Sequence, residues 1–416
     1  DIVKLKNFPK NNFMFCERSL KDLVTINNQL SKLNISENFY YLFKNQKNKM
    51  GLNFNEINQI EKNNSFKTES FYEKLKFEEF NIEKNLWKSF FKKTNTNVYV
   101  TSYYTDYQSA AAKAISELGG CTIFIQLSFY ERPGIEIIPN SDVYFFLTNK
   151  QNFKDKRILS YNNYMVKTGF INDFKNNYYI EKAKNLRDSL KKNGAKKIIG
   201  YFDQGYKSDE RWNHGYEISS QNYKFFLEKV IKFEWLGLII KPKIASEIRL
   251  KLKDISKILD QALNTGRCII IDEGTDSHKK NFDFAPPLIS SACDISIHDS
   301  LVSATAGMES LSAGNNVIFY DDTGFKNSTI CKIEEKIVYR NLDLMWNDIL
   351  AYFDGKRDIE NICKKLSNFI NKDKDNNSFN KILKFCKELN ETLSSGNNNK
   401  KNKILNNLII KNFGEI

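Results

Sequence analysis

Charged and hydroxylated residues gather where apolar runs of the sequence end. Asp203 follows Ile198 to Phe202, Lys241 and Lys243 follow Leu238 to Ile240, and His298 closes the run that begins at Asp294. Upstream, the turn Glu131-Arg132-Pro133-Gly134 comes after Cys121 to Leu127. Two carboxylates such as Asp203 and Glu131 can divide nucleophilic and general-base work if they meet. Lys241, Lys243 and Arg132 are cations suited to a phosphate or a carboxylate. The segment from His298 to Ser310 adds Ser300, Ser303, Thr305, Ala306 and Gly307 in a small-residue turn, then Glu309 about one turn into a helix. Unpaired N–H groups at that helix start, with the Ser303 and Thr305 hydroxyls, can bind a phosphate, and Glu309 can accept hydrogen bonds from a ribose.

Each feature has a plainer reading as well. Asp203 stands before Gln204-Gly205 and could form a turn or cap a helix, Glu131 could pair with Arg132 on the surface, and the lysines could be ordinary solvated side chains. His298 reads equally as a satisfied strand-end histidine, and the small-residue turn as a capped helix packed under a sheet. Spacing leaves both sets open.

The elements that must position these residues alternate. Val98 to Ser102, Cys121 to Leu127, Val143 to Leu147 and Tyr164 to Lys167 are strand-like, with a helix predicted over Asp106 to Leu118 and a lysine-rich one over Tyr179 to Lys192. A second alternating block begins at Lys196, with strands over Ile198 to Phe202, Leu236 to Ile240, Cys268 to Asp272, Asp294 to His298 and Asn316 to Tyr320. Helices over Asn222 to Phe233 and Glu247 to Leu263 lie between them. Strands separated by helices imply parallel sheets covered on both faces. In such sheets ligands sit beyond the carboxyl ends of the strands, where the residues above fall.

The expected architecture is therefore α/β, with two Rossmann-like domains facing a central cleft. Residues 1–195 form the first, including a helical region over 1–95, and residues 196–370 form the second. A C-terminal helix and mobile basic tail make up 371–416. In that tail Lys400, Lys401 and Lys403 precede Ile404, Leu405, Leu408, Ile409 and Ile410, a pattern suited to peripheral contact with an anionic membrane.

The 416 residues contain 63 Lys and Arg against 50 Asp and Glu, a formal charge of +13 that favours anionic partners. Lysines are dispersed and no nucleic-acid-binding signature stands out, so a basic nucleic-acid-binding protein is the weaker, non-enzymatic alternative. Hydrophobic residues at 41% exclude global disorder, and no run reaches the length of a membrane span. Seven scattered cysteines without a CxxC pair read as buried thiols of a reducing cytoplasm. Asp321-Asp322 lacks the spacing of a metal-binding triplet, so neither metal nor cofactor is expected.

A resemblance follows from these residues. Strand, small-residue turn, Glu-bearing helix, Ala313-Gly314, then an apolar strand is similar to the donor-nucleotide segment of GT-B glycosyltransferases. Gly237-Leu238-Ile239-Ile240-Lys241-Pro242-Lys243 and Thr305-Ala306-Gly307-Met308-Glu309 look more specifically like bacterial surface-polysaccharide transferases, above all the retaining β-Kdo transferases that use CMP-Kdo. The likeness spans about Val98 to Tyr320. It implies double displacement, with Asp203 as nucleophile and Glu131 as acid/base. Arg132, Lys241, Lys243, His298, Ser300, Ser303, Thr305, Ala306, Gly307 and Glu309 would hold the donor. It further implies a nucleotide sugar and a glycan acceptor as partners, no nucleic acid, and work in the cytoplasm at the inner face of the membrane. A transferase for another nucleotide sugar and a nucleotide-sugar epimerase would share this architecture.

Overall fold

The computed structural model describes residues 12–16, 39–42, 71–102, 109–126, 128–129, 141–147, 162–171, 173, 176–205, 216–271, 285–322, 324–326, 328–370, 377–395 and 400–414. Its first part runs β1 (Asn12–Cys16), β2 (Phe39–Leu42), α1 (Phe71–Thr94), β3 (Thr96–Thr101), α2 (Ser109–Glu117), β4 (Cys121–Ile125), β5 (Ser141–Phe146), β6 (Asn162–Lys167) and α3 (Asn176–Lys192). The second runs β7 (Lys197–Phe202), α4 (Tyr216–Lys232), β8 (Leu236–Lys241), α5 (Ile248–Lys251), α6 (Ser256–Asn264), β9 (Cys268–Ile270), α7 (Pro286–Ala292), β10 (Ile295–His298), α8 (Thr305–Ser312), β11 (Val317–Tyr320), α9 (Thr329–Glu334) and β12 (Val338–Tyr339). Four helices close the chain: α10 (Leu342–Phe353), α11 (Ile359–Ile370), α12 (Ser378–Ser394) and α13 (Lys401–Phe413).

Two six-stranded parallel sheets result, ordered β2-β1-β3-β4-β5-β6 and β12-β11-β10-β7-β8-β9. Their apolar runs are buried on both faces, as helix-covered parallel strands must be: every residue of β4 is buried, and all of β7 after Lys197. The second sheet has the Rossmann order, in which the chain changes direction between β7 and β10 and leaves a crevice at their carboxyl ends. Register puts the candidate residues there. Phe202 lies abreast of Lys241 on one side and His298 on the other. The two Rossmann-like domains expected from the sequence are present.

Three expectations are corrected. The region before residue 95 holds strands β1 and β2, not helices alone; Phe13 to Cys16 and Phe39 to Leu42 are too short for periodicity to separate a buried strand from a helix. Helix α3, placed with the first domain by the boundary at 195, packs on the second sheet, where Tyr179, Ala183 and Leu190 share a core with Ile198, Phe202 and Leu288. The described part of the C-terminal segment is two packed helices, not a mobile tail. Phe379, Phe385, Leu389, Leu405 and Ile409 are buried against Val100, Ile123, Val143 and Phe145 of the first sheet. Lys401 adds an ion pair to Asp142 at 2.8 Å and donates to the Gly120 carbonyl at 3.1 Å. This packing takes up Leu405 and Ile409 of α13, while Ile410 stays exposed.

Among the described residues no helix is long and apolar enough to cross a membrane. Cys121, Cys268, Cys363 and Cys386 are buried thiols, and burial pushes Cys268 and Cys363 up to about 12.

Candidate functional site

The crevice at the carboxyl edge of β7, β8 and β10 contains a cavity of about 300 Å³, at the lower end of the range for small-molecule sites. The second domain supplies most of its wall: Phe202 to Gln204 after β7, Lys241 to Lys243 after β8, His298 at the end of β10, and Ser303, Thr305, Ala306 and Glu309 around the start of α8. Pro286 at the start of α7 and Ser128, in the loop after β4, complete it. The first domain therefore contributes directly to the wall. The same loop sends Phe129, fully buried, into the core of the second domain.

Thr305 joins the two domains. Its hydroxyl accepts from the Phe129 N–H at 2.9 Å and donates to the Phe129 carbonyl at 3.3 Å. Ser303, Thr305, Ala306 and Glu309 line the cavity, with the Thr305 hydroxyl, one of the two expected to meet a phosphate, engaged by Phe129. Gly307 does not line it. A Cβ there would stand 2.6 Å from the Phe319 ring and 3.0 Å from the His298 ring, so its lack of a side chain lets α8 lie against β10 and β11. Ser300 is likewise outside the wall; its Oγ lies 3.5 Å from the Ser303 N–H, within the turn that leads to α8.

His298 is buried, with its ring Nε2 3.2 Å from the Ser303 carbonyl. A carbonyl only accepts, so Nε2 carries the proton. Desolvation drives the imidazole down to about 4, against backbone hydrogen bonds that raise it, and the ring is neutral near pH 7. It acts here as a strut holding the 299–303 turn.

Asp203 departs most from expectation. Its side chain has no solvent exposure. Oδ1 accepts from the Lys243 backbone N–H at 2.5 Å, and Oδ2 accepts from the Tyr223 hydroxyl at 2.8 Å. Lys251 Nζ, also without exposure, stands 3.6 Å from Oδ2. Both carboxylate oxygens are thus engaged from within the second domain. Asp203 thereby anchors β7, α4 and the loop after β8, and attack on a sugar carbon, the role expected for it, would require it to leave these partners. Glu131 and Arg132 lie outside the described residues.

Lys241 and Lys243 both line the cavity, and Glu309 is the acid of its wall beside Asp203. Cations and a helix start converging on one hollow can hold an anionic ligand, and Glu309 can take ligand hydroxyls. Among the described residues no group of three or more His, Cys, Asp or Glu could hold a metal ion. Sequence reasoning missed Ser128, Tyr223 and Lys251. Nothing local marks them: Lys251 sits in Arg249-Leu250-Lys251-Leu252-Lys253, where one buried lysine looks like its solvated neighbours.

No family model matches the sequence, and no curated protein is similar to it. Solved structures share its fold. The UDP-GlcNAc 2-epimerase of Neisseria meningitidis bound to UDP-GlcNAc superposes with a TM-score of 0.52 at 13% identity, covering 90% of this chain and 99% of that one. Anabaena HepE in complex with UDP and glucose gives 0.51 at 10% identity over 92% and 99%. The wall teichoic acid polymerase TagF gives 0.52 at 10% identity over 93% and 90%. The likeness at these identities is one of fold, and it shows the GT-B arrangement of two Rossmann-like domains across nearly the whole chain.

Proposed function

We propose that the chain is a nucleotide-sugar-dependent glycosyltransferase whose donor occupies the cavity between the second sheet and the loop after β4. The observation that carries this reading is the convergence of Lys241, Lys243 and the start of α8 on a hollow walled by both domains. A nucleotide sugar presents what those groups bind: two neighbouring anionic groups beside a ribose. In a UDP-sugar both are phosphates; in CMP-Kdo, the donor implied by the sequence resemblance, they are a phosphate and the sugar's own carboxylate. Three proteins of this fold are named for, or were solved with, UDP or UDP-GlcNAc, or polymerise teichoic acid, which supports the same class.

In this reading the α8 N–H groups and the two lysines stabilise charge building on the departing nucleotide, the electrostatic term that usually dominates such catalysis. Glu309 holds the ribose, and the acceptor approaches from the first domain. Glu131 remains our proposed base. Transfer with retention through an aspartyl-sugar would require Asp203 to abandon its partners, so Asp203 is assigned no bond-making step.

Epimerisation is the second reading, favoured by the epimerase among the structures sharing this fold. Incubation with CMP-Kdo and, separately, with UDP-GlcNAc distinguishes them. A transferase releases nucleotide in proportion to added glycan acceptor and extends that acceptor by one sugar. An epimerase changes the sugar with no acceptor present. Failure to consume either donor, with or without acceptor, would sink both.

A further inference from the structure

The proposed function leaves a costly feature unexplained. Asp203 and Lys251 are both removed from water, Nζ lies at ion-pair rather than hydrogen-bond distance, and among the described residues no hydrogen-bond partner satisfies it. Burying such a pair costs several kcal/mol per ion and is frequently no better for stability than apolar residues of the same volume. Stability therefore does not account for it. Its location offers a different account. The carboxylate's other oxygen takes the backbone N–H of Lys243, and that residue's side chain faces the ligand cavity.

Gly205 supplies an independent observation. It sits at φ +77°, and a Cβ there would fall 2.5 Å from Cδ of Lys243 and 3.0 Å from its Cβ. The stem of Lys243 thus runs across a glycine that has no room for a side chain. Backbone and stem of one lysine are each fixed by a residue of the short segment after β7. Tyr223 from α4 and Lys251 from α5 fix that segment's aspartate in turn.

We infer that Asp203, held by Lys251 and Tyr223, is a positioning residue that aims the Lys243 ammonium at the anionic groups of the ligand. The assignment rests on the proposed nucleotide-sugar site and names the device that sets its affinity for phosphate. An aspartate locked to a backbone N–H fixes where the lysine starts, and the glycine fixes the path it takes. What reaches the cavity is a cation with little freedom left to lose on binding, the condition under which a charged contact contributes most.

Calorimetric titration of the full chain with UDP, uridine and pyrophosphate tests this. Lys243→Ala and Asp203→Asn should each weaken UDP by about 10-fold or more and uridine by less than about 2-fold. Because both act through one group, the double variant should bind UDP within about 2-fold of Lys243→Ala alone. Should Asp203→Asn fail to fold, Tyr223→Phe removes one partner of the carboxylate and should weaken UDP by about 3-fold with uridine unchanged. The inference is overturned if Asp203→Asn, or Tyr223→Phe in its place, binds UDP like the unsubstituted protein, or if the losses at Asp203 and Lys243 add. Loss of turnover in Asp203→Asn with UDP affinity intact would overturn it in favour of a nucleophile. Pyrophosphate separates the two proposals. If the unsubstituted chain binds pyrophosphate in an Asp203-dependent way but no nucleotide, the site assignment fails and the positioning role stands; if it binds neither, both fall.

Discussion

The covers of the two sheets bury different things. Over the first sheet, α12 and α13 contribute Phe379, Phe385, Leu389, Leu405 and Ile409, with Asn390 the buried polar side chain of α12. Over the second, α4 buries Ser219, Asn222 and Tyr223 on one face beside Asp203 and Lys251. Ser219 Oγ, Asn222 Nδ2 and Lys251 Nζ have no hydrogen-bond partner among the described residues. Unsatisfied buried polar groups destabilise, so the polar cluster gathered at the carboxyl edge of the second sheet costs stability where the ligand cavity lies, while the cover of the first sheet is mainly apolar packing.

The sharpest way to break that contrast is to attack the apolar cover. Phe385 is fully buried, edge-on to Phe145 at 5.5 Å and near Phe413 at 5.9 Å. Phe385→Ala should cost about 3–5 kcal/mol by thermal or denaturant unfolding. UDP affinity, measured where the variant is folded, should not change. Lys251→Met is the counterpart at the other region. It leaves the Asp203 carboxylate buried without its cation and should cost up to about 4 kcal/mol, with Asp203→Asn in the same chain recovering much of that. A Lys251→Met variant as stable as its parent would erase the contrast.

His298 sharpens the comparison through pH. Its folded-state pKa of about 4 lies below the ordinary 6.5, so between these values the unfolded chain binds the proton and the folded chain does not. Stability from this residue is whole above pH 6.5 and is lost as pH falls toward 4. The full difference is on the order of 3 kcal/mol. Unfolding curves of the parent and of His298→Asn should diverge in their pH slopes across that window, and parallel slopes would contradict the buried neutral ring. Gly307→Ala should cost about 1–3 kcal/mol, because the added methyl meets Phe319 at 2.6 Å. The smallest effect, about 1 kcal/mol, is expected for Thr305→Val, and faster hydrogen exchange at the Phe129 amide would mark the lost contact between domains.

Much of this fold was legible in the sequence, because nine apolar runs with helices between them have few parallel-sheet solutions. The failures share a cause. Phe13 to Cys16, Phe39 to Leu42 and the two-residue β12 are too short to display a period, and the run from Glu247 to Leu263 breaks into α5 and α6 with single helical turns before each. Helix α7, absent from the elements expected from the sequence, opens on Pro286-Pro287, where proline's missing N–H is harmless. For the site, position along a strand was readable and direction was not. Asp203, Lys241 and Glu309 all follow apolar segments and all border the hollow, but only tertiary contacts reveal that the Asp203 carboxylate is held by Tyr223, Lys251 and the Lys243 N–H. The basic C-terminal pattern was ambiguous for a similar reason: a membrane and a neighbouring sheet both select an amphipathic helix.

A crystal structure of the full chain with UDP or CMP bound examines the central claim most directly. The account predicts phosphate oxygens at the start of α8 between Lys241 and Lys243, the ribose against Glu309, and Asp203 still bonded to the Lys243 N–H. A nucleotide seated elsewhere, or an Asp203 carboxylate swung out toward the sugar, would contradict it.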